Sequence, residues 1–339
     1  MTFGYSSSPL PADLSRLVSS ADQLCNVEMF TRQSGPGAGS PVLEVHNPKG
    51  ISFEVLADRC MDIGWADAYG IPLGWRSSRG NIASGFVEPT GDGWCRTFPG
   101  GLLSTCGLES TGLASSVGNR KYGLHGRIGH IPVDNLTWKL DRSASGSTCI
   151  VIDGDALEAG LGSPSLRLHR TISADIESPR LVVEDTVENL GFSLAGHMMR
   201  HHITLGYPII QPGSVVTSQS VICGHRGDDG VNGRSLPWTL GACDAPQDEE
   251  VYYCNPTQPD QCKTTVTSPL DQSLTVVQDV DSWPMLVLWR DASPGVNVFA
   301  IEPSTSKDGG RWQAERDGEV IWLEPGSIRH YHTEIYMEL

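Results

Sequence analysis

Leu166-Arg167-Leu168-His169-Arg170-Thr171-Ile172-Ser173-Ala174-Asp175-Ile176 alternates apolar and polar side chains along most of its length. Leu166, Leu168, Ile172, Ala174 and Ile176 fall on one face of an extended backbone, and Arg167, His169, Thr171, Ser173 and Asp175 on the other. A period of two with one wet face is the mark of a half-buried antiparallel strand. Arg170 interrupts the apolar series. Pattern and turn chemistry predict further strands over Leu181–Val187, His197–Leu205, Leu274–Gln278, Met285–Trp289, Asn297–Glu302, Val320–Leu323 and Arg329–Leu339. No amphipathic helix of useful length alternates with them, which argues against a parallel sheet with crossover helices. The expected fold is all-β, a large antiparallel β-sandwich.

Upstream, Val42–Val45 and Ile51–Ala57 read as a hairpin across Asn47-Pro48-Lys49-Gly50. Residues 1–40 read as an N-terminal extension with a short helix over Pro11–Leu24 and a loop over Gln33–Ser40, ahead of a single domain spanning 41–339. Residues 58–120 show little periodicity and read as long loops carrying isolated short strands; loops of that length in a compact domain are more often functional than idle. Residues 206–270 read as an excursion or small subsheet over one end of the sandwich.

The composition, 39% hydrophobic and 19% charged over 339 residues, supports a sizeable core. The balance of 24 basic against 40 acidic residues leaves a net charge of −16, which repels phosphate backbones and anionic lipid. No nucleic acid and no membrane is expected as a partner, and a neutral small molecule is favoured over a polyanion. The first thirty residues lack a basic start followed by a long apolar run, so a soluble cytoplasmic protein is expected. Nine cysteines without a Cys-x-x-Cys pair read as reduced, mostly buried thiols. A second copy of the chain is the one macromolecular partner left open.

Three places concentrate chemistry. Tyr122-Gly123-Leu124-His125-Gly126-Arg127-Ile128-Gly129 offers an imidazole and a guanidinium from an open, glycine-rich backbone, which suits a hydroxyl-rich ligand or a tight turn with a structural histidine. In the strand His197–Leu205, Arg200, His202 and Thr204 share one face, while Met199, His201, Ile203 and Leu205 share the other, which makes His201 a core histidine. Glu302 lies on an apolar strand face at the point where Pro303 ends the ladder, and burial there would raise its pKa toward that of a general base. A His and a Glu from distant strands make an acid/base pair for a small molecule. His197, His201 and His202, with His330 and His332, raise a metal site, but no Cys/His knuckle or helical His pair exists and none is assigned. The Gly-x-Ser-x-Gly elbow, the phosphate loop and the dinucleotide fingerprint are all missing.

Leu124-His125-Gly126, the strand histidine His202 and Ile301-Glu302-Pro303 together resemble the aldose 1-epimerase, or galactose mutarotase-like, superfamily. Asp58-Arg59-Cys60-Met61-Asp62-Ile63, Gly100–Leu108, His125-Gly126-Arg127 and His202 through Pro208 are similar to its DUF4432-like bacterial branch. The resemblance implies a β-sandwich with a sugar cleft on its concave face and no cofactor. It implies Glu302 as the base that takes the anomeric hydroxyl proton and His202 as the acid that protonates the ring oxygen. His125 would bind the sugar, with Arg127, Arg59 and Arg96 as further binding candidates. An isomerase, epimerase or lyase working on a keto sugar through an enediolate, with or without a metal, stays open beside it, as does a non-catalytic sugar-binding module.

Overall fold

The computed structural model describes residues 4–6, 16–142, 146–227 and 234–339. In it the alternating stretch becomes the strand Leu166–Asp175, with every second side chain buried. Thr148–Glu158 and Arg180–Asn189 flank it antiparallel, and Ile328–Glu338 follows Arg180–Asn189. Continued by Ser273–Asp279, Gln261–Thr267, Val215–Ser218 and Trp238–Thr239 on one side and Asp134–Arg142 and Gly4–Ser6 on the other, these strands form a ten-stranded sheet among the described residues. The second sheet runs, in spatial order, Ser220–His225, Glu250–Pro256, Met285–Asp291, Val298–Ser304, Ala195–Leu205, Leu103–Leu108, Asp62–Ala68, Ile51–Leu56, Pro41–His46 and Asn26–Thr31. Leu168, Ile172, Val183 and Ile335 from the first sheet and Phe53, Ile63, Met199 and Ile301 from the second share one core cluster. The large antiparallel sandwich is thus the architecture, and the hairpin Pro41–His46 with Ile51–Leu56 stands as expected.

Three expectations need correction. Asp62–Ala68 and Leu103–Leu108, inside the stretch taken for loops, are strands in the middle of the second sheet, and Leu103–Leu108 is buried at every position. A strand covered on both faces has no wet side, so it loses the alternation that marks Leu166–Asp175. Segment 206–270 is no excursion: Val215–Ser218 and Gln261–Thr267 extend the first sheet, and Ser220–His225 and Glu250–Pro256 the second. The boundary at residue 40 cuts a hairpin, because Asn26–Thr31 pairs antiparallel with Pro41–His46 around the Gln33–Ser40 loop. Val27 and Met29 pack on the core. Of the helix expected over Pro11–Leu24, residues 11–15 lie outside the described part, and the rest contains the short 3-10 turn Ala21–Gln23. No helix of the described residues is long and apolar enough to cross a membrane.

Arg170, the interruption in the alternating strand, keeps its inward position and is 1% exposed. Its Nε and Nη2 donate to the two carboxylate oxygens of Asp185, each at 2.7 Å, and its Nη1 donates to Thr105 Oγ1 at 2.8 Å in the facing sheet. Thr105 donates in turn to Asp62 Oδ1 through its backbone N–H at 2.8 Å and its hydroxyl at 2.7 Å. His201 Nε2 stands 2.7 Å from Asp185 Oδ2, and its Nδ1 3.0 Å from Thr333 Oγ1. Each group thus has a partner across or within the sheets, which is what a buried charge requires. Burial alone would raise Asp185, but Arg170 and His201 outweigh it and hold the carboxyl below the usual range. Asp62 goes the other way, pushed up by burial to about 6 against the pull of Arg170 and Thr105.

Glu158 closes the end of a strand in the first sheet, accepting the Leu108 N–H at 2.6 Å. Burial pushes its carboxyl up to about 8, opposed by the Leu108 bond and reinforced by Glu109. A carboxyl whose folded pKa exceeds its unfolded value near 4.3 contributes stability that is complete below about pH 4 and lost as the pH rises through about 8. Glu158→Gln is therefore expected to gain on the wild type as the pH is raised, by up to a few kcal/mol between about pH 5 and about pH 9. Urea midpoints at the two pH values check it; an equal offset at both would contradict the assignment.

Candidate active site

The outer face of Ala195–Leu205, away from the core, carries Arg200, His202 and Thr204, and the antiparallel register with Val298–Ser304 brings Glu302 beside them. The next strand, Met285–Asp291, adds Trp289. Arg200, His202, Glu302 and Trp289 floor a cavity of about 420 Å³. Its walls come from the segments that cross this face: Trp94 and Cys95 on the short helix Gly93–Thr97, Phe98 just after it, His125, and Arg226, Glu249 and Val251 from the opposite side.

His125 is presented from a left-handed backbone, φ +60°, followed by Gly126 at φ +76°. Its N–H donates to Gly112 O at 2.7 Å, and its carbonyl accepts the Gly107 N–H at 3.0 Å. A Cβ on Gly126 would stand 2.2 Å from Ser110 O and 2.4 Å from Gly107 O, so only glycine lets the loop lie this close to Leu103–Leu108. The imidazole packs against Trp94, with ring centres 4.5 Å apart, and its buried Nδ1 has no hydrogen-bond partner. Desolvation, aided by His202 and the charges of Arg200 and Arg226, holds this ring neutral, well below the ordinary histidine range. An unpaired nitrogen on a neutral ring is ready for a ligand hydroxyl.

His202 Nε2 lies 3.2 Å from Glu302 Oε1, and both side chains are almost fully buried. Arg200 Nη1 donates to Glu302 Oε2 at 2.9 Å, while its Nε donates to Ser304 Oγ at 3.2 Å and its Nη2 to Ser306 O at 3.3 Å. Burial lowers the His202 pKa; Glu302 opposes that shift and Arg200 adds to it. The His202 Nδ1 is 3.2 Å from Thr204 Oγ1. A carboxylate only accepts, so a hydrogen bond to Glu302 puts the ring proton on Nε2. Across the cavity, Arg226 pairs with both Asp308 and Glu249, and Trp289 Nε1 donates to Glu249 Oε2 at 2.8 Å. Both lining guanidinia are therefore engaged by carboxylates. Trp94 stacks on Phe98 with ring centres 4.2 Å apart, and Trp289 lies 5.5 Å from the His202 ring, so apolar faces surround the polar groups.

Of the residues singled out in the sequence, His125, His202 and Glu302 meet in this cavity, and the three arginines do not line it. Arg59 is buried elsewhere and spends its guanidinium on the carbonyls of Ile82 at 2.9 Å, Thr97 at 3.1 Å and Gly129 at 3.4 Å, pinning three loops. Arg96 points outward from its helix and pairs with Glu88 at 2.6 Å. Arg127 is exposed, because the backbone turns into the 3-10 segment Ile128–His130 directly after it. The neighbouring histidines also diverge. His197 meets Tyr331 Oη at 2.6 Å and Leu108 O at 2.9 Å, while His201 belongs to the Asp185 cluster in the core. Among the described residues no three His, Cys, Asp or Glu side chains gather as a metal site would require.

Sequence reading missed Trp94, Phe98, Trp289, Arg226 and Glu249, and left Arg200 without a role. Arg200 shares the strand face of His202, which was a signal for it. Trp94 and Phe98 flank Arg96, and aromatic side chains in an aperiodic stretch carry no local mark that separates a cavity wall from a core contact. Nothing local marks Arg226 or Glu249, since a single residue in an irregular segment has no periodicity.

A family model described as a domain of unknown function, DUF4432, matches residues 37–337. No curated protein matches the sequence. Among solved structures, a candidate aldose 1-epimerase from Klebsiella pneumoniae superposes with a TM-score of 0.83 at 21% identity, covering 94% of this chain and 86% of that one. A galactose mutarotase-like protein from Clostridium acetobutylicum gives 0.63 at 10% identity, over 92% and 98% of the two chains. Galactose 1-epimerase from Lactobacillus acidophilus gives 0.58 at 15% identity, over 93% and 98%. At these identities the likeness is one of fold. The family match spans nearly the whole chain, so this protein belongs to the DUF4432 family and has the galactose mutarotase-like sandwich fold.

Proposed function

We propose that the protein is a sugar epimerase of aldose 1-epimerase type, with Glu302 and His202 as its acid/base pair. The observation that carries this reading is the convergence of His202, Glu302 and His125, whose buried Nδ1 has no hydrogen-bond partner, on one aromatic-walled cavity. Arg200 and Arg226 are both occupied by carboxylates, so the cavity suits a neutral, hydroxyl-rich ring rather than a phosphorylated or carboxylated sugar. Glu302 accepts the anomeric hydroxyl proton, His202 donates its Nε2 proton to the ring oxygen, and the ring opens. Rotation about the freed bond and the reverse transfers then close either anomer. His125 holds a substrate hydroxyl, and the faces of Trp94 and Trp289 take up the apolar C–H surface of the ring. The fold likeness to proteins described as aldose 1-epimerases supports the same reading.

The proton donor in this scheme is the imidazolium, and the environment lowers its pKa from the usual 6.5, so little of it exists at neutrality. The value of kcat/KM for anomer exchange is therefore expected to rise as the pH falls from about 8, by about tenfold per unit until the lowered pKa of His202 is reached. NMR exchange between the anomers of free sugars measures it. His202→Gln is expected to lose both the rate and this dependence. A pH-independent wild-type rate would overturn the assignment of His202, and deuterium uptake at a substrate carbon would move the chemistry to an enediolate.

A further inference from the structure

One end of the sandwich, away from the cavity, leaves large apolar side chains in the open. Leu157, Leu161, Leu190, Phe192, Leu194 and Ile328 range from 41% to 108% exposed, with Leu161 and Phe192 at the top of that range. They form one patch. Leu157 lies opposite Arg167, Arg167 opposite Glu188 and Glu188 opposite Ile328, in a single row across four strands. Just past that row the two connecting turns meet, with the Leu190 N–H donating to Ser165 O at 2.8 Å. Arg167 and Glu188, the charges within the row, neutralise each other as an ion pair. Turn tips are normally polar, yet Leu161 stands between Gly160 and Gly162, and Phe192 between Gly191 and Ser193.

At these exposures the six side chains offer on the order of 600 Å² of apolar surface, taking about 150 Å² for a fully exposed one, the low end for an aromatic side chain. That reaches the top of the range for the largest patch on a soluble monomer. It is close to the about 800 Å² that each partner contributes to a standard interface. We propose that this face joins two copies of the chain about a twofold axis. A twofold contact uses the same patch twice, so a self-complementary apolar surface is sufficient. The charge narrows the site of contact: at −16 the chain is repelled by anionic lipid, and a second, equally negative copy approaches best where the local charge cancels, as at the Arg167–Glu188 pair. The patch adjoins Ala195, seven residues before His202 on one strand and so about 23 Å away. The dimer therefore leaves the cavity open, and the inference does not depend on the reaction assigned there.

Sedimentation velocity on the full chain tests it, comparing the wild type with Leu161→Glu/Phe192→Glu and with the milder Phe192→Ser. The wild type is expected to be a dimer at about 10 µM, above the weakest dissociation constants of an interface of this size. The double variant is expected to be monomeric with an unchanged near-ultraviolet circular dichroism spectrum, and Phe192→Ser to raise the dissociation constant by at least about tenfold. A monomeric wild type would overturn the proposal and leave the patch to a different partner. A dimer that persists unweakened in both variants would overturn it as well, by placing the contact on another face.

Discussion

Glu302→Gln is expected to slow anomer exchange by about a hundredfold to ten-thousandfold, the contribution typical of a positioned general base. The substitution keeps the shape of the side chain and an oxygen for Arg200 Nη1, which now donates to Glu302 at 2.9 Å. It removes the carboxylate proposed to take the proton. Sugar binding, read by calorimetry on the same variant, should fall far less than turnover, because His125, Trp94 and Trp289 are untouched. A variant that retains wild-type turnover would exclude Glu302 as the base. A variant that loses binding and turnover in equal measure would make Glu302 a ligand-gripping group instead.

Arg170→Leu is expected to cost about 3–5 kcal/mol, the penalty for stranding a buried carboxylate. Asp185 would lose both 2.7 Å bonds from the guanidinium and keep only His201. Thr105 would lose its link to the facing sheet. The loss should show as a melting temperature lower by roughly 4–7 °C, since an unfolding entropy of about 2.1 cal/mol/K per residue over 339 residues gives about 1.4 °C per kcal/mol. In Arg170→Met/Asp185→Leu neither charge is left alone, and well-packed apolar replacements of buried ion pairs are often neutral. Much of the lost stability should therefore return. If the double variant were less stable than Arg170→Leu by the full cost of a second independent lesion, the two residues would not be acting as a pair.

The same arginine shows how far local pattern reaches. Its neighbours Leu168 and Ile172 announced a strand with one buried face, and Arg170 looked like a break in that series. The break is real as chemistry but not as geometry: the strand stays in register, and the guanidinium is buried because Asp185, Thr105 and His201 come to it from other strands. The separation of His201 from His202 followed from the period of two alone, one turned to the core and one to the cavity. Arg59, Arg96 and Arg127 each sit in a chemically rich motif. Membership in a motif says nothing about where a long side chain ends, and all three end away from the cavity.

The order of apolar and polar residues by itself determined that the chain builds antiparallel sheets, where its one-sided strands lie and which face each residue takes, because side-chain direction in a strand is a local consequence of backbone geometry. Only the tertiary structure decided that Leu103–Leu108 and Asp62–Ala68 are interior strands, since burial on both faces erases the alternation in the first and the second leaves only Trp65 and Asp67 half-buried. It also decided that Arg226 and Glu249 face His202 and Glu302, from segments with no pattern of their own. A cavity is a relation between residues remote in sequence, and the closing of two sheets and their crossing loops is what sets that relation.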